Sequence, residues 1–177
     1  MHRLFVAIRP PEEIRDLLID AMDDSPALRW VSDDNLHLTL RFIGEVERPI
    51  AEDIGRALQQ VRAERFALRV TGVGRFDQRS GGAVWAGVDP RADVAALAAK
   101  VDRACQSVGL EPEHRSYHPH ITLARFGRGS RDEVEPFLRR NAGLGSGPFA
   151  VTGFTLFESR LSRHGAHYEA VASFPLA

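Results

Sequence analysis

Apolar residues follow two periods along this chain, and the period changes from segment to segment. Three segments repeat apolar residues at the three- and four-residue spacing of an amphipathic helix, namely 14–21, 50–61 and 94–108. A further short helix is predicted at 131–140. Runs rich in β-branched and aromatic residues, bounded by glycine, proline and polar turns, predict strands at 3–8, 28–31, 35–44, 65–76, 82–88, 118–126, 147–159 and 167–176.

These elements alternate along the chain, and the alternation predicts an α+β fold of sheet and helix layers. Antiparallel hairpins are expected within 65–88 and within 148–174, where two strand segments flank a short turn. The polar stretches 23–26 and 143–148 are too short to serve as interdomain linkers. We therefore expect residues 1–177 to form a single domain, which is one compact unit or a pair of lobes.

Charge and cysteine content exclude several classes of protein. The net charge is −1, so a general nucleic-acid coat is disfavoured, while a short oligonucleotide or nucleotide held by a few local charges stays open. The single Cys105 excludes an intrachain disulfide and a multi-cysteine zinc site, and its place in a helical apolar stripe predicts a buried residue. No signal peptide and no apolar run of about 20 residues is present, so we expect a soluble, cytoplasmic monomer.

One motif occurs twice. The segment HLTLRF occupies 37–42 and HITLARF occupies 120–126, with one alanine inserted before the second arginine. The two copies lie close to half the chain apart, and the expected number of His-x-Thr-Leu matches in a chain of this composition is only about 0.02. Internal duplication explains the pair better than chance does.

The residue types of the motif suit acid–base chemistry on a phosphodiester. In a strand, His37 and Thr39 share one face, and His120 and Thr122 do the same. If the two halves are related by a pseudo-twofold axis, the two faces confront each other across a groove. One neutral imidazole then removes a proton from the attacking oxygen and the other, protonated, donates to the leaving oxygen. The near symmetry of the motif leaves open which histidine does which.

The paired motifs resemble those of the 2H phosphoesterase superfamily. Their flanks, among them RLFVAIRPPEEI, LRWVSDDN, VWAGV and LFESRLSRHGAHYEAVASFPL, are similar to the bacterial RNA 2′,3′-cyclic phosphodiesterases, also called 2′-5′ RNA ligases. The resemblance covers nearly the whole chain. It implies two pseudo-symmetric lobes of duplicated α/β units, with antiparallel sheets around a central cleft and no metal or other cofactor.

The resemblance also implies an activity and assigns roles to residues. The implied reaction is hydrolysis of an RNA 2′,3′-cyclic phosphate end, or of such a nucleotide, to a 2′-phosphomonoester. His37 matches the proton donor and His120 the proton acceptor, while Thr39, Thr122 and Arg125 match substrate-binding positions. Strand alternation puts Arg125 out of phase with His120, so Arg125 needs a twist or a bulge to reach the site.

Several alternatives remain open at this point. The same site is suited to joining RNA ends through a 2′-5′ linkage, and a non-catalytic RNA- or nucleotide-binding module is the rival from another class. His114, His118 and His120 are a weak candidate for a metal cluster, because cysteine and carboxylate partners are scarce nearby. Arg41, in phase with Thr39, is a candidate phosphate ligand or a solvent-facing charge. Core packing is preferred to base stacking for four aromatic residues: Phe42, Trp85, Tyr117 and Phe126.

Overall fold

The computed structural model describes all 177 residues and confirms the predicted α+β class. The strands are β1 (His2–Ile8), β2 (Arg29–Trp30), β3 (Leu38–Val46), β4 (Phe66–Gln78), β5 (Gly81–Asp89), β6 (His120–Gly127), β7 (Phe149–Val151), β8 (Gly153–Ser162) and β9 (Gly165–Pro175). The helices are α1 (Glu12–Ala21), α2 (Arg48–Leu58), α3 (Arg91–Ser107) and α4 (Glu135–Arg140), and 3₁₀ segments cover Asp33–Asn35 and Arg128–Val134. The segment predicted as one helix at 131–140 is therefore part 3₁₀ and part α-helix.

The strands form one sheet in the order β7-β4-β5-β6-β3-β1-β8-β9, with β2 paired to β6. We call β3, β1, β8 and β9 the first half-sheet, and β6, β5, β4 and β7 the second half-sheet. The two predicted hairpins are present as β4–β5 and β8–β9. Between the half-sheets, β3 and β6 pair through Leu38 and Ile121 alone. The two half-sheets thus meet at one point in the middle of the repeated motif.

One face of the sheet is covered by the helices. Leu4, Val6 and Ile8 of β1 join a core of 34 buried residues, to which α3 contributes the stripe that ends in Cys105. Cys105 is fully buried as predicted, and burial raises the pKa of its thiol to about 11. No helix of the protein has the length and apolar character needed to cross a membrane.

The opposite face of the first half-sheet carries a second, smaller cluster. Phe5 and Ala7 of β1 pack there with Phe157 of β8, and Tyr168 lies against them. Because β1 is buried on both faces, its sequence is a continuous apolar run rather than an alternating one. We call this face, on both half-sheets, the cleft face, because both repeated motifs present side chains on it.

A β-bulge follows the threonine in each copy of the motif. In β3, Ala7 pairs with Thr39 but Val6 pairs with Arg41, so Leu40 is the extra residue. In β6, Trp85 pairs with Thr122 but Val84 pairs with Ala124, so Leu123 is the extra residue. Each bulge reverses the inward and outward alternation of the residues that directly follow it, and in β3 a second register shift after Phe42 restores the alternation.

Gly74 of β4 allows the Trp85 ring to lie flat on the cleft face of the second half-sheet. The two residues are paired neighbours, and a β-carbon at position 74 would lie 2.3 Å from Cζ2 of Trp85. Any side chain larger than hydrogen therefore displaces the indole ring.

Gly74→Ala should lower the free energy of unfolding by about 1–3 kcal/mol, because the added methyl overpacks the Trp85 ring. Gly55→Ala is the matched control, since no atom lies within 4 Å of its added β-carbon on α2. That variant should be neutral or stabilised by up to about 1 kcal/mol. Urea unfolding followed by tryptophan fluorescence measures both, and equal stabilities for the two variants would contradict the proposed contact.

Candidate active site

The Leu38–Ile121 pair brings the two histidine-threonine motifs together. In an antiparallel pair the residues on either side of a matched pair oppose one another. His37 therefore lies on the Thr122 side of the junction, and Thr39 lies on the His120 side. The arrangement is reciprocal, so each histidine lies opposite the threonine of the other motif in the strand register.

Each histidine is held by the backbone two residues before it. The Nδ1 of His37 lies 2.7 Å from the carbonyl oxygen of Asn35, and the Nδ1 of His120 lies 2.6 Å from that of His118. A carbonyl oxygen only accepts hydrogen bonds, so in both rings Nδ1–H is the donor. In the neutral form, Nε2 then carries the lone pair on each ring. Two like tautomers, each with Nε2 available, suit a pair of proton-transfer groups.

Aromatic rings form a wall beside each histidine. The His37 ring lies 4.9 Å from Phe5 and 5.3 Å from Tyr168, measured between ring centroids. The His120 ring lies 4.9 Å from Phe76 and 6.2 Å from Trp85. These contacts fix the ring planes and remove water from one side of each imidazole.

The bulge at Leu123 brings Arg125 into the site. Arg125 pairs with Ala83 and Thr122 pairs with Trp85, and these two partners lie two residues apart on β5, so they share a face. The inserted Ala124 is what gives the arginine this phase, since the first copy lacks it. The bulge that Arg125 needs in order to reach the cleft face is therefore present.

The side chain of Arg41, in contrast, points away from the cleft. The bulge at Leu40 turns Arg41 to the helix side, where its Nε donates to Oδ1 of Asp102 on α3 at 2.7 Å. Its guanidinium also donates to the carbonyl oxygen of Glu111. Arg41 is thus neither a phosphate ligand nor a solvent-facing charge. Phe42 takes the cleft-face position that corresponds to Arg125.

A cavity of about 350 Å³ opens beside His37. Thr122, Arg125 and Tyr168 line it together with Arg29 of β2 and His164 of the β8–β9 turn. A larger groove of about 770 Å³ beside α1 contains no histidine, whereas the smaller cavity is lined by His37 and Thr122 of the two motifs but not by Thr39 or His120. Arg29 and His164 were missed in the sequence, because only the sheet order brings them near the motifs.

The other sequence candidates lie in several environments. Phe126 is fully buried in the core, as expected, and Tyr117 donates its hydroxyl to the carbonyl oxygen of Thr39 at 2.8 Å. The expectation of core packing is wrong for Phe42, which is 41% exposed, and incomplete for Trp85, which lies beside His120.

The histidines at 114, 118 and 120 do not form a cluster, since no three His, Cys, Asp or Glu side chains gather as metal ligands would.

Burial lowers the pKa of both histidines below the usual 6.5. The hydrogen bonds that the two rings donate to the carbonyl oxygens of Asn35 and His118 partly oppose this effect, because they favour the charged ring. The charges of Arg125 and His120 lower the pKa of His37 further, and the charges of His118 and Arg125 lower that of His120. The unliganded site therefore favours two neutral rings.

Comparisons with known proteins agree with this geometry. Residues 9–163 match the family described as the 2′-5′ RNA ligase superfamily. The chain belongs to this superfamily. Among its members, an RNA 2′,3′-cyclic phosphodiesterase of Aeropyrum pernix is 36% identical over 81% of this chain and 84% of its own length. The enzyme of the same name from Escherichia coli is 33% identical over 98% of this chain and 96% of its own length.

Solved structures of the superfamily confirm the fold. The apo crystal structure of Escherichia coli LigT aligns with 99% of this chain and 98% of its own, at 29% identity and a TM-score of 0.78. LigT has also been crystallised with 3′-AMP, and that structure aligns equally well. The predicted superfamily, fold and enzyme class are confirmed by these relatives.

The histidine pKa values offer a direct check on the site of this superfamily member. Both rings should titrate below 6.5 in the unliganded protein, and Arg125→Ala should raise both values, because it removes a positive charge that opposes protonation. Arg103→Ala, which removes an exposed arginine of α3, should leave them unchanged. Imidazole C–H resonances followed by NMR against pH measure this. Unchanged values in Arg125→Ala would place its guanidinium away from the rings.

Proposed function

We propose that this protein hydrolyses RNA 2′,3′-cyclic phosphate ends, and nucleotides with the same group, to 2′-phosphomonoesters without a metal ion. The observation that carries the proposal is the single Leu38–Ile121 pair, together with the Nδ1-anchored histidine that precedes each of these two residues. The names of relatives that match most of the chain support the substrate class.

The proposed reaction moves two protons and exchanges one bond. Nε2 of His120 accepts a proton from water as the water oxygen attacks phosphorus. The bond from phosphorus to O3′ breaks, and the protonated Nε2 of His37 donates its proton to O3′. The product carries a 2′-phosphate and a 3′-hydroxyl, and the two imidazoles recover their protonation states from solvent. The assignment of donor and acceptor follows the family resemblance.

Three further side chains are proposed to hold the phosphate. The hydroxyls of Thr39 and Thr122 donate to its non-bridging oxygens, and Arg125 supplies a guanidinium that has no carboxylate partner within the protein. These three donors would then stabilise the negative charge that develops on the non-bridging oxygens in the transition state.

Two alternatives use the same cleft. Ligation replaces the attacking water with the 5′-hydroxyl of a second RNA and would lengthen the product. A non-catalytic binding module is disfavoured by the anchored histidines, since binding a phosphate alone is better served by arginine or lysine.

We also propose that residues 1–177 act as a single domain of two pseudo-symmetric lobes, one for each half-sheet. The support is the bulge that follows the threonine in both copies of the motif. The monomeric state and the cytoplasmic location stay predictions, and gel filtration checks the first of them.

Incubation with an oligonucleotide that ends in a 2′,3′-cyclic phosphate, in the presence of EDTA, tests the proposed function. The expected product is a 2′-phosphate end of unchanged chain length, formed at the same rate with and without the chelator. A 3′-phosphate product would overturn the bond that we expect to break. A longer product on addition of a 5′-hydroxyl RNA would favour ligation, and no turnover at all would favour the binding module.

His37→Ala and His120→Ala should each lower turnover by about 10²–10⁴, the usual contribution of one general acid or base. The double variant should be little slower than either single variant, because the two groups act in one step. His114→Ala, at an exposed position without a role in the cleft, is the matched control. Near-normal turnover in either single variant would remove that histidine from the mechanism.

A further inference from the structure

Arg29 and Arg125 lie directly opposite each other on neighbouring strands. The pair belongs to the β2–β6 ladder, so both side chains point to the same face, and both line the cavity beside His37. Like charges in this position repel one another and destabilise a sheet. Neither guanidinium forms an ion pair or a hydrogen bond within the protein, whereas Arg15 and Arg75 each bind a carboxylate.

The charge of the reacting group does not account for both arginines. A 2′,3′-cyclic phosphate carries one negative charge, and the protonated histidine together with Arg125 already supplies two positive charges. Thr39 and Thr122 add donors to its two non-bridging oxygens. Arg29 would place a third positive charge on a monoanion, while a second phosphate in the same cavity would balance it.

We propose that Arg29 binds the phosphate on the 5′ side of the terminal nucleotide, and so makes the enzyme selective for RNA ends over cyclic mononucleosides. This inference rests on the proposed function, because it takes Arg125 as the ligand of the reacting phosphate. Arg29 lies on β2, which is two residues long and pairs only with β6, at Arg125 and Ala124.

Three substrates distinguish recognition of the reacting phosphate from recognition of the phosphate on its 5′ side. Adenosine 2′,3′-cyclic phosphate has only the reacting group, its 5′-phosphorylated form adds one phosphate, and ApA with a 2′,3′-cyclic end adds a nucleoside as well. Wild-type kcat/KM should be higher for the second and third substrates. Arg29→Ala should lower those two values by about 10–100-fold, the usual effect of losing a charge-assisted hydrogen bond, and change the first by less than about threefold.

Two further measurements separate a specific contact from general electrostatics. The slope of log kcat/KM against log salt should become shallower by about 0.7 in Arg29→Ala with ApA, as expected for one lost phosphate contact on a single strand. Arg29→Lys should recover most of the preference, because it keeps the charge. Arg103→Ala, which also removes one exposed positive charge, should change neither the preference nor the slope.

The outcomes that overturn the proposal are distinct from failure of the proposed function. An equal loss on all three substrates would mean that Arg29 serves the reacting phosphate, and no loss on any would mean that it binds none. If the wild type turns over none of them, calorimetric binding of adenosine 2′-phosphate and adenosine 2′,5′-bisphosphate still decides. The bisphosphate should bind more tightly, and Arg29→Ala should abolish the difference; equal binding of the two ligands by the wild type would overturn the proposal.

Discussion

The candidate site depends on one backbone pairing. Leu38 and Ile121 are both fully buried, and they form the only residue pair that joins β3 to β6. Because the pairing is antiparallel and centred between histidine and threonine in each motif, it converts two copies of a short sequence into one reciprocal cleft. A slip of either strand by one residue would turn the histidine of that strand toward the core. The same apolar pair that stabilises the junction therefore also sets the register of the chemistry.

A single inserted alanine accounts for the asymmetry of this cleft. Both motifs have a bulge after the threonine, so the third residue beyond each threonine returns to the cleft face. In the first copy that residue is Phe42, and Arg41 is directed to Asp102 on the helix side. In the second copy Ala124 fills the place of Arg41, and Arg125 enters the cleft. A nearly symmetric scaffold thus acquires one positively charged side.

The sequence predicts features that depend on the residues of a single helix, strand or hairpin. It does not predict features that depend on the order in which the strands pair. The three long helices, the hairpins and the two histidine-threonine faces follow from local periodicity, and the structure has them within a few residues. The phase of Arg125 could not be read from alternation, since a bulge depends on the partner strand. Phe5, Phe76 and Tyr168 reach the histidines only through the order of the strands in the sheet. β1 pairs with β3, one strand lies between β4 and β6, and two strands lie between β9 and β3. The sequence did not mark Arg29 as a candidate site residue, because its position opposite Arg125 depends on the pairing of β2 with β6.

In the proposed reaction, formation of the acid depends on the phosphate that binds in the cleft. Burial and the Arg125 charge lower the pKa of both imidazoles, so the unliganded site holds two neutral rings near neutral pH and lacks the acid that the proposed reaction requires. An anionic phosphate bound between the rings favours the charged form of one of them and offsets the repulsion from Arg125. A neutral ligand of similar shape offers no such compensation. The arginine that opposes protonation in the empty cleft therefore helps to restrict the proton-donating state to complexes with a bound anion.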